Sequence, residues 1–267
     1  MKRISQALFA LAATTLGLVS LPASANAFTI RYAPEYTDSQ FESLISSGGY
    51  REEFVVQSQI GNNAVQGQNP WSGDTELQIF DAVYSANSAP YTRSLAGVAS
   101  RNYGFTSGQA VDFILQVTGS QVTYTVGNQV LTSSSFTAPF TDLFLRTRAD
   151  NGSMLISDLR LNGQSINALE SNSSDTLKYI MIGGLTGNFT LTGKSTMTFT
   201  QAPFAQATRG ARVAYQIKAG RLTNSARTNI FGQTPSASVP EPSTIAALLV
   251  TGGVVAASNK KKKLVNK

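Results

Sequence analysis

The run Ala110-Val111-Asp112-Phe113-Ile114-Leu115-Gln116-Val117-Thr118-Gly119-Ser120-Gln121-Val122-Thr123-Tyr124-Thr125-Val126-Gly127-Asn128 decides the fold. Val111, Phe113, Leu115 and Val117 alternate with Asp112, Ile114 and Gln116. After Thr118-Gly119-Ser120, Val122, Tyr124 and Val126 alternate with Gln121, Thr123 and Thr125. Successive side chains on a strand point to opposite faces, so a period of two turns one apolar face toward a core. Two such runs joined by a glycine turn form a hairpin, and Gly127-Asn128 marks the next reversal.

The pattern continues on both sides. Residues 143–148, 154–161, 177–182, 189–191, 196–200 and 213–217 read as further strands, and so do 51–60 and 76–84 upstream. Asn162-Gly163 is a type I′ turn signal. One helix stands out: Thr37 and Gln40 fit a capping box, Phe41, Leu44 and Ile45 share a face, and Gly48-Gly49 ends it. The expectation is an all-β fold over residues 28–232, an antiparallel sandwich with at most one short helix.

The two ends are built differently. Lys2 and Arg3 precede an apolar stretch over 7–21, and the small residues Ala23-Ser24-Ala25-Asn26-Ala27 follow. That is the layout of an export signal helix over 1–27, removed by signal peptidase after Ala27. At the other end, 233–239 is a polar, proline-bearing linker. The segment 240–267 opens with Pro240-Glu241-Pro242 and continues into an apolar helix carrying Ile245, Leu248, Leu249, Val250, Val254 and Val255. It closes on Lys260, Lys261, Lys262 and Lys263. Its apolar part makes roughly 20–27 Å of helix against a ~30 Å hydrocarbon core, which suits transient insertion better than a permanent anchor. The lysines stay on the cytoplasmic side. The two prolines hold Glu241 extended, as a membrane-embedded peptidase would bind it.

Charge follows the same division. The chain carries 21 basic and 15 acidic residues, yet 28–239 holds 14 of each. The excess belongs to the ends, so the body offers no net basic field for nucleic acid. There is no histidine and no cysteine. Histidine-dependent triads, thiol chemistry and the usual zinc ligands are therefore excluded, and the body holds together by burial without disulfides.

Val239-Pro240-Glu241-Pro242-Ser243-Thr244, with the apolar run and the lysines behind it, resembles the PEP-CTERM sorting signal. The resemblance covers about residues 239–263. It implies recognition by an exosortase-type membrane peptidase, transient inner-membrane anchoring, and a destination at the surface or in the exopolysaccharide matrix of a Gram-negative bacterium. The body is more distantly similar to choice-of-anchor domains. The 111–126 hairpin and Ile156-Ser157-Asp158-Leu159-Arg160-Leu161-Asn162-Gly163 resemble concanavalin-like jelly rolls.

Candidate chemistry in the body is sparse. Trp71, in Asn69-Pro70-Trp71-Ser72-Gly73, is a sugar-stacking candidate, with Tyr84 and Tyr91 near the same region. The preferred reading of Trp71 is nevertheless a core plug. Glu52-Glu53, and Asp74 with Glu76, are the carboxylate pairs to weigh for a glycosidase or lyase. Adjacent residues on a strand point to opposite faces, which argues against Glu52-Glu53 acting together. Asp150-Asn151-Gly152-Ser153 offers calcium oxygen ligands but lacks the spaced acids of an EF-hand. No catalytic residue and no metal site is assigned. The functional expectation is a non-enzymatic matrix protein with weak carbohydrate binding; the alternative is a carbohydrate-active enzyme using carboxylates on a sheet face.

Overall fold

The computed structural model describes residues 28–61, 77–85, 89–150, 152–199 and 212–232. The segments 1–27 and 233–267, with Trp71, Asp74 and Glu76, lie outside the described residues. The strands are β1 (Thr29–Ala33), β2 (Tyr50–Gly61), β3 (Leu77–Tyr84), β4 (Arg93–Arg101), β5 (Ala110–Thr118), β6 (Gln121–Val126) and β7 (Gln129–Ser133). They continue with β8 (Asp142–Ala149), β9 (Ser153–Leu161), β10 (Gln164–Ser165), β11 (Leu169–Asn172), β12 (Leu177–Gly183), β13 (Phe189–Thr198) and β14 (Arg212–Leu222). The helices are α1 (Asp38–Ser46) and α2 (Asn224–Phe231).

All ladders are antiparallel and form two sheets. The first runs β1-β12-β8-β14-β2-β3-β4. The second runs β10-β9-β13-β5-β6-β7, with β11 also on β9. The deciding hairpin is β5–β6, in the register Phe113↔Val126 to Thr118↔Gln121. Its inward residues are buried, while Asp112, Ile114 and Gln116 face outward and are exposed. Asn162 and Gly163 both take positive φ, 50° and 84°, as a type I′ turn requires.

The main core fills the space between the sheets. Phe54, Val56, Ile79, Leu145, Ile180, Tyr215 and Ile217 meet Phe113, Leu115, Tyr124, Ile156, Leu161 and Leu191 there. A second cluster lies on the outer face of the first sheet, where Phe41 and Ile45 of α1 cover Tyr50, Phe144, Tyr179 and Met181. Two-sided burial explains why β8 is buried almost throughout although half of its residues are charged or polar: Leu143 and Leu145 point inward, Phe144 and Arg146 outward.

Several features differ from the sequence expectation, among them the unanticipated strands β1, β7, β10 and β11. A second helix exists, α2, capped by Thr223 and closed by Gly232 in the left-handed region at φ 69°. Only Ala226 is fully buried, with Ile230 and Phe231 partly buried beside it, so its apolar face is short. The segments 189–191 and 196–200 join into β13. Gly193 in its middle lacks a side chain because the Phe113 ring occupies that space; a Cβ would sit 2.7 Å from it. Strand β4 is rich in small residues and carried no alternating signal. No helix among the described residues is long and apolar enough to cross a membrane.

Candidate functional site

Helix α1 begins with the expected capping box. Gln40 N–H donates to Thr37 Oγ1 (3.2 Å), and Thr37 N–H donates to Gln40 Oε1 (2.8 Å). This cap fixes the helix phase, which turns Asp38, Phe41, Glu42 and Ile45 toward the sheet.

Under the helix lies an ion network. Glu52 is fully buried and is paired by the guanidinium of Arg93, which also donates to Glu42 Oε1 (2.5 Å). Lys218 Nζ stands 3.6 Å from Glu52 Oε1 and 4.7 Å from the centre of the Phe41 ring. Arg146 donates to both oxygens of Asp38 (2.7 and 2.5 Å), and Tyr179 Oη donates to Asp38 Oδ1 (2.6 Å). Burial pushes the Lys218 amine down; Glu52 opposes that, while Arg93 and Arg146 reinforce it. Burial also works against the charge on Arg93, but Glu52 and Glu42 outweigh it and hold that group above its ordinary value. With Lys218 at 5 % exposure and Glu52 at 0 %, these groups face protein, and their chemistry is to fasten α1 to the sheet.

A bulge beside Gly220 separates Glu52 from Glu53 in function. Ala219 pairs with Phe54 and Gly220 with Glu52, leaving Glu53 as the extra residue. Glu53 instead accepts from Arg221 (2.5 Å). The two carboxylates thus serve separate partners.

Tyr84 and Tyr91 are brought together, edge to face, with ring centres 6.2 Å apart. Tyr84 Oη accepts from Glu52 N–H (2.8 Å) and donates to the Glu52 carbonyl (3.2 Å), and Arg51 covers one ring face at 4.6 Å. Burial, with the Glu52 charge, pushes the Tyr84 phenol up to about 12. Tyr91 packs over Gly48. Both rings are half-buried and brace the end of α1. Trp71 lies outside the described residues.

Arg148 Nε donates to both oxygens of Asp150 (2.9 and 2.8 Å). Among the described residues no group of three acidic side chains converges as a metal cage would require.

Sequence reasoning missed the ion network and an open groove of about 490 Å³ between β4 and β7. The network leaves no distinct mark in the sequence, because Arg146 in β8 and Lys218 in β14 are each one of three charged residues on their strand. No protein-family model and no curated protein matches the chain.

Proposed function

We propose that this chain is an exported, non-enzymatic surface or extracellular-matrix protein of a Gram-negative bacterium, associated with exopolysaccharide and making weak carbohydrate contacts. One observation carries this reading. An export signal at 1–27 coincides with Pro240-Glu241-Pro242, an apolar run and Lys260 to Lys263 at the opposite end. Signal peptidase then removes the first segment, the second inserts transiently in the inner membrane, and an exosortase-type peptidase acts at the tripeptide. The structural body supports the non-enzymatic part. Nine of its carboxylates, those of Glu35, Asp38, Glu42, Glu52, Glu53, Asp142, Asp150, Asp158 and Asp175, are within ion-pair distance of a cation. A glycosidase needs two carboxyl groups directed at one bond, about 5–9 Å apart. Engagement with arginine and lysine leaves these nine poorly placed for that work.

The test is the intact mass of the protein recovered from the outer fraction of producing cells. Loss of the segment beyond Pro240-Glu241-Pro242 is the expected result. A mass that retains Ile245 to Lys267 would overturn the sorting reading and leave a membrane-tethered sandwich.

A further inference from the structure

Strands β4 and β7 are edge strands of the two sheets on one flank of the sandwich. β4 pairs with β3 and β7 with β6, and the two edges lie against each other. An edge strand leaves alternate N–H and C=O groups without a ladder partner. The groove between them, about 490 Å³, is lined by Gln78, Val98, Ser100, Arg101, Val130 and Thr132. That volume is in the range of ligand sites, roughly 300–1,000 Å³.

Its chemistry is selective. Arg101 is exposed, and its guanidinium donates to the carbonyl of its neighbour Ser100 (3.0 Å). Arg93, Arg146, Arg148, Arg221 and Arg227 each hold a carboxylate; among the described residues Arg101 does not. Gln78, Ser100 and Thr132 add polar groups, and Val98 and Val130, 41 % and 52 % exposed, add apolar walls. No aromatic ring and no carboxylate is among the described lining residues. A neutral pyranose therefore lacks a stacking platform there, while a sugar carboxylate meets a guanidinium fork.

We infer that the β4–β7 groove binds a strand of an acidic, uronate-bearing polysaccharide, with Arg101 on a carboxylate and the sheet edges on the hydroxyls. The inference rests on the matrix reading for the class of polymer and adds the surface that holds it. This surface is distinct from the tyrosine pair. Tyr84 stands opposite Arg93 at the start of β4, and Arg101 ends that strand, about 25 Å away at ~3.3 Å per residue.

The experiment is affinity electrophoresis of the protein purified from producing cells, through gels containing polygalacturonate or neutral dextran. Retardation by polygalacturonate and not by dextran is expected. Arg101→Ala should weaken it by about tenfold or more, as loss of a charge-assisted fork implies. Arg160→Ala, which removes an exposed arginine from the other sheet, should leave it unchanged. Three results overturn the proposal: no retardation by polygalacturonate, equal retardation of Arg101→Ala, or equal weakening by Arg160→Ala, which would mean unspecific charge attraction. Because Arg101 and Arg160 are exposed, neither variant should compromise folding. The mass measurement reads processing alone, so the groove can fail while the sorting reading stands, and the reverse.

Discussion

At Glu52 the chain places a carboxylate where water does not reach and surrounds it with Arg93 and Lys218. Its Oε1 accepts no hydrogen bond, so the charge is balanced mainly by Arg93 on the other oxygen. Removing it leaves Lys218 buried without its carboxylate and Arg93 with Glu42 alone. Glu52→Ala should therefore cost about 3–5 kcal/mol, and Lys218→Met, which keeps the volume beside Phe41 and leaves Glu52 still paired by Arg93, should cost less. Urea titration of both variants decides this; a Glu52→Ala loss under about 1 kcal/mol would mean that the network relaxes freely. Asp38 gives the pH dependence. Desolvation raises its carboxyl, but the hydrogen bonds and charge of Arg146, with Tyr179, outweigh that and hold it below 3.8. A depressed carboxyl contributes stability above its unfolded value and loses it as pH falls through the folded one. Asp38→Asn should therefore be less stable than the native chain at about pH 6. The two should converge in acid below 3.8, and a constant gap across that range would sink the assignment. None of this was legible in the sequence. Alternation in β14 marks Lys218 as outward-facing, and only the helix above it makes that outward position an interior one.

Elements were legible to the extent that their burial is one-sided. The β5–β6 hairpin faces the core on one side and solvent on the other, so its alternation is clean. Helix α1 announces itself through its capping box, and Thr37→Ala should cost about 1 kcal/mol, read as a lower urea midpoint and faster hydrogen exchange over α1. Helix α2 has only a short apolar face. It packs Ala226, Ile230 and Phe231 on the outer cluster and is fastened by long-range polar contacts, with Arg227 donating to Asp142 Oδ2 (2.7 Å) and Arg31 to the Ile230 carbonyl (2.9 Å). No local pattern encodes a partner 85 or 199 residues distant. In β13 the difficulty is reversed, because Gly193 resembles a break but is a packing device. Its place is filled by Phe113 from the paired strand, so Gly193→Val should overpack the core and cost about 1–3 kcal/mol. Thermal unfolding of that variant checks it; an unchanged midpoint would show that Phe113 has room to move aside.

For the whole molecule, alternation reveals which face of a strand is buried but not which strand lies beside it. The first sheet sets β1 beside β12 and β14 beside β2, pairings that sequence order does not suggest. They nevertheless fix a geometry that bears on function. From β1 to β4 there are six inter-strand steps, about 29 Å at ~4.8 Å each. Helix α2 lies toward the β1 flank, since Arg31 of β1 reaches its Ile230 carbonyl and its Phe231 ring packs on Gly183 of β12. The described chain ends there, at Gly232. Helix α2 therefore lies on one flank of the sandwich and the β4–β7 groove on the other. The absence of cysteine makes this directly testable, because one introduced thiol can be labelled alone. Thr132→Cys carrying a maleimide-linked polyethylene glycol should lose polygalacturonate binding, because Thr132 lines the groove. The same label on Ser225→Cys, an exposed site on α2, should leave binding intact. Equal loss from both positions would mean that binding is not confined to the groove, and would overturn its assignment.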